Sequence, residues 1–204
     1  LPPRNYMVLD WDEHSDDEKR VFSRLAAAYA AMLEHADQQL GSLLTFLESA
    51  KMLDNTLVLL LSDNGASQEG GPQGFVNAMG PYNLQPETLD QKLERLDDIG
   101  GPESHSNFPW GWAMASNTPL KRYKQNTHGG GIRDPLVISW PAKIPADFSV
   151  RDQFCHVSDV TPTILDLIGI DWPNEGGIGR PGVSFAETLF KAEAVTAKNT
   201  QYFE

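Results

Sequence analysis

The chain has 204 residues, 16 of them lysine or arginine against 28 aspartate or glutamate, giving a formal net charge of -12 at pH 7. That field repels polyanions, which excludes nucleic acid and anionic membrane as partners and requires any anionic ligand to be held by local positive groups. Apolar and charged fractions of 40% and 22% are those of an ordinary globular chain, long enough for one domain with a sizeable core, and no apolar run approaches a bilayer span.

The opening Leu1-Pro2-Pro3-Arg4 carries no charged-then-apolar leader pattern. Ser15-Asp16-Asp17-Glu18 has capping-box spacing, and behind it Phe22, Leu25, Tyr29, Met32, Leu33, Ala36, Leu40, Leu43, Leu44 and Leu47 recur at helical intervals, predicting a long amphipathic helix that ends near Met52. Glu34, His35 and Asp37 fall on its solvated side. A turn at Asp54-Asn55-Thr56 leads into Leu57–Leu61, apolar at every residue, as expected of a strand covered on both faces. The run stops at Ser62-Asp63-Asn64-Gly65. Ligands of such sheets gather at the carboxyl ends of strands, and a carboxylate beside an amide oxygen favours calcium or magnesium over zinc. The same three residues, Asp-Asn-Gly, are also ordinary turn chemistry, so both readings stand at this point.

Residues 66–118 dissolve into glycine, proline and asparagine and read as a long surface excursion with one short helix between Pro86 and Ile99. His105, Phe108, Trp110 and Trp112 would either line a pocket or pin this segment to the body. Beyond it, Lys121-Arg122-Tyr123-Lys124 precedes Thr127-His128-Gly129-Gly130-Gly131-Ile132-Arg133. Three glycines allow a sharp turn or a close backbone approach, but without a following Gly-Lys-Ser/Thr they are no phosphate loop. Pro135–Pro141 reads as a strand. The single cysteine, Cys155, excludes an internal disulfide and, flanked by Phe154 and Val157, is expected to be a small buried hydrophobe. Ser158-Asp159-Val160-Thr161-Pro162 opens a helix ending at Gly169, with His156 and Asp159 belonging to its start rather than to a catalytic dyad. Alternating helices and strands point to an α/β architecture.

Taken in order, Tyr29-Ala30-Ala31-Met32-Leu33-Glu34-His35-Ala36-Asp37, Asp54-Asn55-Thr56, Leu61-Ser62-Asp63-Asn64-Gly65, Lys124 ahead of Gly130-Gly131-Ile132-Arg133, and the run from Asp159 to Gly169 resemble the type I sulfatases, bacterial arylsulfatases above all. The resemblance implies an alkaline-phosphatase-like α/β fold, a mostly parallel sheet flanked by helices. Residues 1–204 would be a single, incomplete domain, the second half of that catalytic domain. It also implies Asp63 and Asn64 as metal ligands, for Ca2+ before Mg2+, and Lys124 as the catalytic lysine that contacts the sulfate. His128 is a further catalytic candidate, as a proton donor or as a loop-packing residue. Gly129 stands where a glutamate is commoner, and Arg133 is expected to pair with a carboxylate behind the site.

The nucleophile implied by the resemblance, a formylglycine made from the first residue of Cys/Ser-x-Pro-x-Arg, has no counterpart here, and Cys155, followed by His156-Val157, does not supply it. The family's paired aspartates, its Lys-x-His element and a further histidine are also absent. The chain ends at Tyr202-Phe203-Glu204, ahead of the usual C-terminal subdomain. The expected function is therefore part of a sulfatase acting on a small-molecule or carbohydrate sulfate ester, aryl sulfates included, in either cytoplasm or periplasm. Phosphate or phosphonate ester hydrolysis is the alternative within the superfamily, although Asp63-Asn64 in place of an Asp-His pair favours one hard cation. As a third reading, this chain by itself is a non-catalytic binding or structural module. Alone it is expected to be inactive and to self-associate.

Overall fold

The computed structural model describes residues 3–173, 179 and 181–201. Expectations resting on Leu1, Pro2 and Tyr202–Glu204 lie outside them. The chain divides into two compact units, one built from Leu1–Ala50 with Val58–Ile138, the other from Lys51–Leu57 with Ser139–Glu204.

The first unit opens with α1, Asp16–Ser49, started by the predicted capping box. Ser15 Oγ accepts from the Glu18 amide at 3.2 Å, and the Glu18 carboxylate accepts from the Ser15 amide at 2.9 Å. Only its first turns go inward: Val21, Phe22 and Leu25 are buried with Val76, Ile99, Phe108, Ala113 and Tyr123. The distal part of the apolar stripe faces out, with Met32 58% and Phe46 62% exposed. Glu34, His35 and Asp37 are exposed as expected.

Strand β1, Val58–Leu61, pairs with β2, Leu136–Ser139, in a two-stranded sheet. Just past β1, the Ser62 amide donates to Pro135 O (3.3 Å) and the Gly65 amide to Gly131 O (3.5 Å). One chain advances as the other recedes, so the pair is antiparallel. This corrects the mostly parallel sheet expected above, as far as the described residues go. It also corrects the burial of the strand: Leu60 and Leu61 are 51% and 42% exposed, and Val58 and Leu59 are only half-buried.

Residues 66–118 carry α2 (Met79–Tyr82), α3 (Leu89–Glu94) and α4 (Trp110–Ser116). Of these, α3 falls in the predicted window, capped by Thr88 Oγ1 on the Gln91 amide. The segment packs inward as well as lying on the surface, supplying Phe75, Val76, Ala78, Ile99, Phe108 and Ala113 to the core. Isolated bridges Phe75–Asn107 and Asn77–His105 tie its two arms together. Lys92, 4% exposed, reaches the Gln73 carbonyl at 3.1 Å.

The second unit holds α6, Val160–Ile168, closed by Gly169 at φ 74°, and α7, Ala186–Phe190; the one-turn α5, Gly129–Ile132, belongs to the first unit. The second unit is organised by Asp159, 2% exposed. Its Oδ1 accepts from the Val183 amide (2.9 Å) and Lys198 Nζ (2.8 Å), its Oδ2 from the His156 amide (2.8 Å). Burial pushes this carboxyl up, but the Lys198 ammonium and the two amides outweigh it and hold it below the ordinary range. Because Asp159 meets the His156 backbone and not the imidazole, the two form a helix start. Cys155 is exposed, which corrects its expected burial: Phe154 and Val157 beside it also face out and build no apolar pocket around it. Crowding by neighbours and the Asp159 carboxylate still raise its thiol pKa.

Candidate active site

The site is assembled where β1 ends, in the first unit. Asp63 is exposed and Asn64 half-buried. The turn that carries them is closed by Ser62 Oγ donating to Asn64 O at 2.8 Å. It lies tight against the glycine run: any Cβ on Gly65 would overlap the Gly130 carbonyl, and any Cβ on Gly130 the Arg122 carbonyl. Glycine is required at both positions by this close approach. α5 begins directly after His128.

One side chain holds three strands of this arrangement together. Asn117 Oδ1 accepts from the Ala66 amide (3.2 Å), while its Nδ2 donates to Arg122 O (3.0 Å) and Gly130 O (2.8 Å). The Lys124 amide in turn donates to Ala66 O at 3.1 Å. The backbone carrying Asp63 and Asn64 and the backbone carrying Lys124 are thus one hydrogen-bonded body. Arg122 and Gln125, on either side of Tyr123-Lys124, both sit at φ 67°, a left-handed conformation that costs a non-glycine residue about 1–3 kcal/mol and concentrates at functional loops. Asn126 steadies that loop by donating to the carbonyls of Tyr123 and Lys124, each at 3.1 Å.

Lys124 Nζ lies 2.8 Å from Glu69 Oε1. This hydrogen bond and charge, and then the more distant Asp63, hold the ammonium pKa above its usual value. Burial raises Glu69, but Lys124 and the Ser67 hydroxyl outweigh it and keep the carboxyl low. Asp134, half-buried just ahead of β2, is pushed up by burial and then by the Asp63 charge, as the antiparallel pairing brings the two strand ends together.

The donor chemistry of the β1 turn fits a hard cation in part. Among the described residues no hydrogen bond or ion pair engages the Asp63 carboxylate. Asn64 Nδ2 donates to Gly65 O at 3.0 Å, which leaves Oδ1 as the atom free for a ligand. No group of three or more His, Cys, Asp or Glu suited to a metal occurs among the described residues. Two ligands make an incomplete set.

Asp63, Asn64 and Lys124 are therefore brought together. His128 is exposed, and its imidazole makes no hydrogen bond among the described residues. Arg133 is exposed too, and no carboxylate of the described residues pairs with it, contrary to expectation. The aromatic residues divide: Trp110 pins the loop, Nε1 donating to Gln68 O at 2.7 Å and its ring stacked 6.1 Å from Tyr123, and Phe108 meets Tyr29 edge-on in the core. Trp112 borders an apolar cleft with Phe22, Pro109 and Met114. Sequence reasoning missed Asn117 and Glu69. Asn117 precedes Thr118-Pro119 and reads as turn chemistry, and Glu69 looks like one polar residue among many in a glycine-rich stretch.

The β1 turn thus presents an Asp-Asn pair in the same hydrogen-bonded body as the Lys124 loop, on an α/β scaffold. The family model described as Sulfatase matches residues 8–170, and the chain belongs to the sulfatase family. It is 34% identical to an uncharacterized sulfatase of Schizosaccharomyces pombe over 83% of this chain and 29% of that protein. Similarity to the arylsulfatase of Klebsiella aerogenes is 31% identity over 88% of this chain and 37% of the relative, and to the steryl-sulfatase of Rattus norvegicus 29% identity over 74% and 20%. The chain thus spans about a third of the length of the first two of these relatives.

Proposed function

We propose that this chain is part of a larger enzyme that hydrolyses sulfate esters, aryl or carbohydrate, and that it supplies one wall of the site. The observation that carries this reading is the Asn117-centred body, which fixes the β1 turn and the Lys124 loop to each other. Asp63 and Asn64 would hold a hard cation, calcium before magnesium, together with ligands from outside this chain. Such an ion, when bound, withdraws charge from the sulfate oxygens. The Lys124 ammonium faces the same place and stabilises negative charge growing on the bridging oxygen as the sulfur–oxygen bond breaks. His128, at the start of α5, is placed as a proton donor to the leaving group only if substrate brings the loop inward. The nucleophile, a formylglycine in this reading, lies outside these residues.

The test is hydrolysis of a chromogenic aryl sulfate and of the matching aryl phosphate by the full-length parent. Sulfate turnover should dominate, and Lys124→Ala should lower kcat about 10²–10³-fold, the loss typical of a removed charge-stabilising donor. Asp63→Ala should abolish dependence on added calcium. The 204-residue chain alone should hydrolyse neither ester; robust turnover by the pure chain, or a preference of the parent for phosphate, overturns the reading.

A further inference from the structure

Lys124 already has an anionic partner, since Glu69 takes one of the ammonium's three donors at 2.8 Å. That carboxylate is built into place. Its second oxygen takes the Ser67 hydroxyl, and Ser67 Oγ accepts from Asn107 Nδ2 at 2.7 Å. The loop around it is pinned on both sides, by Trp110 on the Gln68 carbonyl and by Gly70, where any Cβ would overlap the Phe108 carbonyl. Glu69 is 21% exposed and Lys124 36%, so the pair is partly sheltered from solvent and still reachable from it. The other ionisable groups acting on Lys124 are Asp63 and Tyr82.

We propose that Glu69 is a positioning residue that holds Lys124 aimed at the site and occupies its anion-binding face until the sulfate group of a substrate displaces it. The proposal rests on the reading above that Lys124 meets the sulfate. A tethered carboxylate is an intramolecular competitor with a high effective concentration, so small anions without further contacts displace it poorly. An ester gripped elsewhere in the site exchanges one counter-ion of Lys124 for another and leaves the ammonium paired throughout. Neutralising Glu69 therefore has two opposed effects: anions reach Lys124 more readily, and the lysine is less well directed. In the full-length parent, Glu69→Gln should lower KM and kcat together, a split that simple loss of folded protein does not produce.

The direct test uses the 204-residue chain and the rate at which each lysine is acetylated by an activated ester, read by peptide mass spectrometry with and without inorganic sulfate. In Glu69→Gln, Lys124 should react severalfold faster while exposed Lys121 is unchanged and buried Lys92 stays protected. Glu69→Asp should fall between the two. Sulfate should shield Lys124 at a severalfold lower concentration in Glu69→Gln than in the unaltered chain. If Lys92 becomes reactive in Glu69→Gln, the loop has opened, and Glu69→Asp decides: an intermediate Lys124 rate supports the proposal, an unaltered one overturns it. An unaltered Lys124 rate with Lys92 protected overturns the proposal alone. Lys124 freed but never shielded by sulfate overturns the reading of Lys124 as a sulfate contact.

Discussion

Asn117 concentrates more of the site's geometry in one side chain than either proposed metal ligand does. Its amide is fully used, one acceptor and two donors, which no other residue type matches at this size. Asn117→Asp should therefore be worse than Asn117→Ala: an aspartate turns two donors toward carbonyl oxygens into a repelling carboxylate, whereas alanine leaves groups that water can reach. We expect a loss of about 2 kcal/mol for alanine and more for aspartate in urea unfolding. Asp159 makes a second case, in the other unit. Its carboxyl is held low in the folded state, so its contribution is present above the unfolded carboxyl pKa and is lost as pH falls through the folded one. Protection of the Val183 amide, measured against its intrinsic exchange rate, should fall on acidification below pH ~4 in the unaltered chain. Asp159→Ala should show little protection at any pH and a loss of about 2 kcal/mol, since half-buried Lys198 loses its carboxylate and is left with Gln201 Oε1. Equal stability of the two chains at pH 7 would refute this. That Asp63 and Asn64 sit in a turn at the end of a strand was legible, because an apolar run ended on them. Asn117 and Asp159 were not, since their partners lie in distant segments that sequence spacing does not join.

At the scale of elements, the glycine run is the sharpest constraint. Gly65 faces the Gly130 carbonyl, so Gly65→Ala must push the β1 turn away from α5 or break the Gly65–Gly131 hydrogen bond. Both neighbours are backbone and cannot step aside. Chemical shifts of Ala66 and Lys124 should move far more than those of α1; a silent Gly65→Ala would mean the turn has slack the packing denies. Close approach at the three glycines was readable in advance, as were α1 with its capping box and a short helix between Pro86 and Ile99. α2 and α4 were not, because Met79-Gly80-Pro81-Tyr82 and Trp110-Gly111-Trp112 have poor intrinsic helix preference; α4 gains its place by burying Ala113, whereas α2 buries no residue. The antiparallel partner of β1 was hidden for a related reason. An unbroken apolar run suggests a strand but fixes neither the burial of both its faces, which Leu60 and Leu61 lack, nor the direction of its neighbour.

For the whole molecule, the surface is the informative part. α1 exposes Met32, Leu33, Leu43 and Phe46, and the sheet exposes Leu60, Leu61 and Val137, each at least 42% accessible. Apolar side chains repeated along one helix and along a pair of strands exceed the scattered exposure normal for a monomer, and a two-stranded sheet has unpaired edges as well. The net charge of -12 opposes association, but screening confines it to about 10 Å at 0.1 M salt, while apolar contact strengthens with salt. The 204-residue chain should therefore sediment as a monomer only at low ionic strength and form dimers or larger species at 0.1–0.5 M salt, a direction opposite to that of charge-driven assembly. Leu33→Glu with Phe46→Glu should restore the monomer if α1 is the contact, and Leu61→Lys should do so if the strands are. A chain that stays monomeric across the salt series would show that these apolar faces are tolerated in water.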